Sequence, residues 1–295
     1  MLGVLDIGGT KIAAALVDEG RLVQRREEPT RPAEGFERAM VRTRAMFGDA
    51  TLSGIGVGST GPIDRDTGVY GKVDVLPGWE GRDLRRTFDG VPMVIENDAD
   101  AAALGEAAIG AGRGVARFVY VTISTGIGGG IVLDGELYRG AGGTHPEIGH
   151  HMIEASGPAC ACGARGCWEA LASGPAFAAH ARARAPEAVR AGLTAETVCR
   201  HANETWAREA IEREAFYLGV GLANVIAMYA PDVIALGGGV MKSEPLFRDR
   251  MRETIARSAT LVPAATTRIV AAELGADAVL HGAAHAFTLA RGRPS

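Results

Sequence analysis

Apolar and polar positions fall into short alternating or buried runs early in the chain and into longer, helix-spaced stretches later. Residues 2–7 (LGVLDI) and 11–17 (KIAAALV) read as strands split by Gly8, Gly9 and Thr10, and Asp18-Glu19-Gly20 turns the chain into a third strand, RLVQRR. Residues 34–47 carry Phe36, Met40 and Phe47 on a helical pattern, and 55–59 (IGVGS) is a strand that ends in Thr60-Gly61-Pro62. Residues 63–81 show no period; loops of that length are usually functional or disordered. A short helix is expected near 82–88. Strand 91–95 then runs into an alanine-rich helix reaching about 110. Asn97 is a good N-cap for it, and Asp98 lies in the first turn, where the helix dipole favours a carboxylate.

Residues 117–138 repeat the opening. DIGGTKIAAALVDEGRLV and ISTGIGGGIVLDGELY both give strand, glycine-rich turn, strand, Asp-containing turn, strand, which indicates duplication of a folding unit. Farther on, 170–185 is alanine-rich and helical. A long helix spans 204–229, with Trp206, Ile211, Leu218, Leu222, Val225 and Ile226 at spacings near 3.6. A buried strand at 233–240 includes Gly237-Gly238-Gly239, further helices fall near 244–258 and 277–291, and the tail RGRPS is expected to fray.

Composition narrows the class. A chain of 295 residues is long for one domain and comfortable for two. Hydrophobic residues at 47% and charged residues at 22% fit a globular protein. The net charge of -4, with scattered arginines, offers no nucleic-acid face. No run approaches the roughly eighteen apolar residues that span a bilayer. The start MLGVLDIGG lacks the charged region and cleavage site of a signal peptide. Of the four cysteines, three are clustered and Cys199 stands alone, which suits a reducing cytoplasm and a metal site better than a disulfide framework.

The chemistry concentrates in a few stretches. EIGHHMIEASGPACACGARGCWE, from Glu147 to Glu169, places His150, Cys160, Cys162 and Cys167 within eighteen residues. Three thiolates and an imidazole can close a tetrahedral site of the structural kind; the alternative is three buried thiols and a surface histidine. In the first glycine turn, Gly8 and Gly9 free backbone N–H groups for an anion, Thr10 and Lys11 add donors, and Asp6 brings a carboxylate that fits a Mg²⁺ beside a phosphate. A plain hairpin bend is the alternative. The second turn, Thr125-Gly126 through Gly128, is its counterpart, and two such hairpins facing each other would hold one polyphosphate from both sides. Gly237–Gly239 precedes a helix, where a nucleotide could lie on bare backbone, or it is simply a tight turn. Asp98 reads either as a first-turn carboxylate or as a general base; local sequence favours the former.

Taken together, DIGGTK (6–11), END (96–98), STGIGGG (124–130), EIGH (147–150), CACGARGCWE (160–169) and LGGG (236–239) resemble the ROK family, especially its zinc-containing bacterial glucokinases. The match covers nearly the whole chain in the family's order. It implies an α/β, actin-like ATPase fold of two ribonuclease-H-like domains with a central cleft. The small domain would be 1–110 plus a C-terminal helix at about 275–295, and the large domain 111–274, with the zinc site. It implies ATP-dependent phosphorylation of glucose on the 6-hydroxyl, with Asp98 as catalytic base. Gly61, Asn97, Glu147, His150 and Glu169 would bind the sugar. Asp6, Gly8, Gly9, Thr10, Lys11, Thr125, Gly126, Gly128 and Gly238 would hold ATP and Mg²⁺, and His150, Cys160, Cys162 and Cys167 a structural Zn²⁺. A homodimer or homotetramer follows from the same resemblance, with sugar and nucleotide as partners and neither nucleic acid nor membrane. Two positions depart from it. Ser124 stands where many members have glycine, and Val75 where many have asparagine, which bears on the far side of the sugar. Kinases of fructose, mannose, N-acetylmannosamine or N-acetylglucosamine would use the same residues. A sugar-sensing regulator of the family would carry a DNA-binding segment before the first glycine turn, and Met1 leads almost directly into the first strand.

Overall fold

The computed structural model describes residues 1–262 and 264–292. In chain order the strands and α-helices are β1 (Leu2–Ile7), β2 (Lys11–Asp18), β3 (Arg21–Pro29), α1 (Phe36–Ala45), β4 (Gly54–Ser59), β5 (Met93–Asn97) and α2 (Asp98–Ile109). They continue with β6 (Arg117–Ile123), β7 (Ile127–Leu133), β8 (Glu136–Leu137), α3 (Trp168–Ala172), α4 (Gly174–Arg182), α5 (Glu187–Arg190) and α6 (Ala195–Arg200). The last are α7 (Thr205–Tyr229), β9 (Val233–Gly237), α8 (Arg248–Ser258), β10 (Arg268–Ala271) and α9 (Ala278–Gly292). The chain divides into two compact units, one of residues 1–114, 130–145 and 273–295, the other of 115–129 and 146–272.

The two sheets have the same plan. One runs β3-β2-β1-β4-β5 and the other, read from its far side, β8-β7-β6-β9-β10. Each is a hairpin ladder extended by two strands from the following segment, so the sequence repeat is a repeat of topology. In the first sheet β1 pairs antiparallel with β2 and parallel with β4, and β4 pairs parallel with β5. Side chains alternate across it with the strand period. Leu5, Ile7, Ile12, Ala14 and Leu16 join one core, while Val4, Ala13 and Ala15 meet Leu280 and Ala283 of α9 on the other face.

The unpatterned stretch 63–81 is packed by its own aromatics. Tyr70 and Trp79 are fully buried, with rings 5.3 Å apart, and Phe36 of α1 stands edge-on to Trp79 at 5.1 Å. Widely spaced aromatics give no period, so the loop's order was not visible in the pattern. Helix α2 packs on α9 through small residues: a side chain at Gly282 would start 1.5 Å from the Ala101 carbonyl oxygen, and one at Gly105 2.4 Å from that of Ala278. The stretch 170–185 is two helices, broken where Ser173 caps α4. Residues Val240–Leu246 form a 3-10 turn before α8, residues 85–88 are 3-10 rather than α, and β10, α5 and α6 were not expected. Of the tail expected to fray, Arg291 and Gly292 complete α9, and residues 293–295 lie outside the described residues. No described helix is long and apolar enough to cross a membrane.

Candidate active site

In the first unit the site is an edge of the sheet. The parallel strands are in register, so Asp6 lies level with Gly58 and Gly58 with Glu96, while Ile7, Ser59 and Asn97 form the next row. The chain leaves all three strands at this carboxyl end, the usual place for ligands in such sheets. It places the Gly8–Thr10 turn, the Thr60-Gly61 turn and the start of α2 side by side. Asn97 is the N-cap, its Oδ1 accepting from the N–H groups of Ala99 (2.8 Å) and Asp100 (3.3 Å). The Asp98 carboxylate accepts from Ala99 N–H at 2.8 Å. A side chain at Gly61 would start 3.9 Å from Asn97 Nδ2. Asp6 is partly buried, and desolvation, then the charge of Asp98, raises its carboxyl from 3.8 to about 7. Two carboxylates so close make this a place for a cation or a proton.

The first turn is held from behind. Thr30 donates to the Gly8 carbonyl at 2.6 Å, and Gly8 N–H donates to the Lys11 carbonyl at 2.9 Å. Lys11 forms an ion pair with Glu27 of β3 at 2.9 Å. Val75, one of the two departures, packs on the turn: a Gly9 side chain would start 2.6 Å from its Cβ.

A group that sequence reading missed surrounds the start of α2. Buried Glu96 takes Arg65 at 2.9 Å and Arg139 at 2.6 Å, Arg139 also reaches Asp100 at 3.4 Å, and His145 Nδ1 lies 3.1 Å from Asp100. Arg139 and His145 are isolated in sequence, and nothing in their neighbourhood marks them.

In the second unit three backbone segments converge. Ser124 N–H closes the second turn onto the Gly126 carbonyl at 2.8 Å, and the Ser124 carbonyl accepts from Gly174 at the start of α4 at 2.8 Å. Gly238, at φ +89°, leans on the end of β6, where a side chain would start 2.3 Å from the Ile123 carbonyl oxygen. A side chain on the next residue, Gly239, would start 3.9 Å from Ser124 Oγ. Bare turns beside a helix start suit an anion. Ser124, the other departure, leaves the turn closed. Thr125 and Gly126 lie in the turn itself, and Gly128 is partly buried in β7.

Glu169, at the start of α3, joins this turn to the cysteine loop. Its Oε2 accepts from Ile127 N–H at 2.9 Å, and its Oε1 lies 3.9 Å from His150 Nε2. Glu147 is exposed. The Glu-x-Gly-His spacing has a steric reason, since a side chain at Gly149 would start 1.8 Å from the Ile127 carbonyl oxygen. The His150 turn therefore lies flat against the beginning of β7.

His150, Cys160, Cys162 and Cys167 converge, with their ligand atoms all within 4.8 Å of one another. Cys160 Sγ is 3.5 Å from His150 Nδ1, and Cys162 Sγ is 3.6 Å from Cys167 Sγ. Ligands about 2.3 Å from a tetrahedral centre lie at nearly these separations, so the donor set fits one zinc-sized ion. Burial pushes the Cys167 thiol up to about 12, whereas Cys162 is lowered, chiefly by the Ala164 backbone N–H. The loop is folded backbone on backbone: Gly166 has φ +67°, and a side chain there would start 1.7 Å from the Glu154 carbonyl oxygen.

Two sheets of one plan, each ending in a glycine turn, define a protein of the actin-like ATPase fold. The ROK family model matches residues 2–290, and the chain belongs to that family. A glucokinase of Streptomyces coelicolor is 32% identical over 95% of this chain and 95% of its own. A putative fructokinase of Bacillus subtilis is 35% identical over 84% of this chain and 80% of its own. The xylose repressor of Bacillus subtilis is 35% identical over 69% of this chain, a match spanning 53% of the repressor. Among solved structures, a ROK hexokinase from Thermus thermophilus is similar with a TM-score of 0.84 and 36% identity over 99% of both chains. A ROK glucokinase from Streptomyces griseus, in complex with glucose and AMPPNP, gives a TM-score of 0.81 and 31% identity over 96% of this chain and 98% of its own.

Proposed function

We propose that the protein transfers the γ-phosphoryl group of ATP to the 6-hydroxyl of glucose. The observation that carries this reading is the placing of Asp98 and Asp6 together where three parallel strands end, next to the glycine turn. Asp98 accepts the hydroxyl proton as the bond from O6 to the γ-phosphorus forms and the bond to the ADP oxygen breaks. A sugar hydroxyl is a weak acid, so a positioned carboxylate is enough. Phosphoryl transfer otherwise asks for alignment and charge neutralisation. The N–H groups of the turns at Gly9, Thr10 and Lys11 and at Thr125, Gly126 and Gly128 supply part of that, with Gly8, whose own N–H is taken by the Lys11 carbonyl, lining the first turn and Gly238 towards the adenosine. Asp6 is the residue to hold Mg²⁺, which when bound neutralises phosphate charge.

Asn97, Gly61, Glu147, His150 and Glu169 take the remaining sugar hydroxyls. Glu169 keeps Oε1 for this, because Oε2 is committed to Ile127. If His150 Nδ1 and the three sulfurs hold zinc, Nε2 carries the proton and faces the sugar as a donor. The metal is structural: four protein ligands leave no open position. Residues 1–110 with the last helix serve as the small domain and 111–274 as the large one, in a cytoplasmic homodimer or homotetramer.

The experiment is ADP release measured across a panel of glucose, fructose, mannose, N-acetylmannosamine and N-acetylglucosamine. Glucose giving the highest kcat/KM is the expected result, and release with none of them would end the kinase reading. Fructose is the second candidate, favoured by the fructokinase relative. A regulator, the reading favoured by the xylose repressor, would instead shift promoter DNA in a gel.

A further inference from the structure

Asp98 is the middle of three acids in five residues, Glu96, Asp98 and Asp100. Glu96 and Asp100 are buried, so their charges are poorly screened by water. Two carboxylates taken out of water need cationic partners. Here they are matched by cations drawn from distant parts of the same unit. Arg65 meets Glu96 from one side at 2.9 Å and Arg139 from the other at 2.6 Å. Arg139 continues to Asp100 at 3.4 Å, whose other oxygen faces His145 Nδ1 at 3.1 Å. Gly130 leaves the space: a side chain there would start 3.0 Å from Asp100 Oδ1 and 2.6 Å from the Ala103 side chain. Arg139 spans both flanking acids.

We propose that Arg139 is a positioning residue, which by bridging Glu96 and Asp100 holds the start of α2 in place and cancels the charge on both sides of Asp98. This rests on the assignment of Asp98 as the base. The titratable and charged groups around that base are Asp6 on β1, Glu96 and Asp100 two residues away on its own segment, and, on those two acids, the guanidinium groups of Arg65 and Arg139 and the imidazole of His145. Lys11, Arg25 and Glu27 act one step farther off, through Asp6. Arg139 does not act on the sugar, so its loss differs from that of a binding residue.

The test compares Arg139→Met, Arg139→Lys and the double variant Arg139→Met/Asp100→Asn with the metal-replete wild type. At saturating sugar and Mg²⁺-ATP, the acid limb of kcat against pH should move up by about one unit in Arg139→Met. Arg139→Lys should keep the limb in place, and Asp100→Asn should return it by removing the charge left unmatched. Arg139→Gln gives the same comparison if the methionine variant does not fold. A uniform loss of kcat at every pH with no return in the double variant would overturn the proposal. The second readout needs no turnover. The ¹³Cγ resonance of Asp98, identified by its absence in Asp98→Asn, should titrate higher in Arg139→Met than in wild type, and an unmoved titration overturns the proposal. A wild type that phosphorylates no sugar sinks the kinase reading alone, since the Asp98 titration still decides whether Arg139 balances its charge.

Discussion

The start of α2 and the cysteine loop are two short candidate segments held by opposite means. Around Asp98, the flanking acids have partners within the polypeptide: Asn97 caps the helix, Arg65 and Arg139 take Glu96, and Arg139 and His145 take Asp100. In the cysteine loop the donors face one another, thiol to thiol and thiol to imidazole. Unlike charges complete the first segment without a ligand. The second is a set of like donors, which a cation would turn from neighbours into ligands. Folding alone preorganises the first region, and the second is the one a bound cation would complete.

Four changes would break or sharpen this contrast. The largest effect is expected from Asp98→Asn, which leaves cap and network in place but removes the proton acceptor. kcat should fall by about 10² to 10⁴, while glucose binding by calorimetry stays within a few-fold; retention of most turnover removes Asp98 from the base role. Next comes stripping the metal. Dialysis against a strong chelator, or Cys160→Ser, should release about one zinc per chain, lower Tm and raise the KM for sugar well above its effect on the KM for ATP. Protein that never contained metal and melts identically after chelation would put the loop on the same footing as α2. Third, Gly166→Ala should cost about 1–3 kcal/mol in urea unfolding, because the residue sits at φ +67° against the Glu154 carbonyl. A smaller cost would mean that the backbone there yields.

The smallest effect is a pH dependence. The Asp6 carboxyl titrates at about 7 in the folded protein, against 3.8 as its ordinary value. Between those values the folded chain holds a proton that the unfolded chain has released. Stability without ligand therefore falls as pH rises through that window and levels off above about 7. Asp6→Asn should gain on wild type as pH rises through that window, with a melting advantage larger at pH 8 than at pH 5. A difference from wild type that is the same at both values would mean that Asp6 is ionised in the free protein.

Much of the candidate site was legible because its chemistry is local. His150 and the three cysteines lie in one stretch, glycine turns announce themselves by composition, and Asn97 followed by Asp98 is a cap in any context. The repeat of two strand-turn-strand patterns anticipated two sheets of the same order. What stayed hidden depends on residues far apart in the chain. Arg65, Arg139 and His145 look like ordinary polar residues until the fold brings them to Glu96 and Asp100. The loop at 63–81 looked structureless because Tyr70 and Trp79 follow no period, and it is ordered by their burial against Phe36.

By itself the sequence determined the elements whose cause lies within a few residues: strand alternation, helix caps, glycine turns and the donor set of the cysteine loop. The tertiary structure alone decided which charges neutralise one another, why Gly149, Gly166 and Gly282 admit no side chain, and that Glu169 gives one oxygen to the Ile127 backbone. The reason is physical. Backbone preference and side-chain periodicity act along the chain, whereas steric exclusion and charge pairing in a buried place act through space, between residues that sequence distance does not relate.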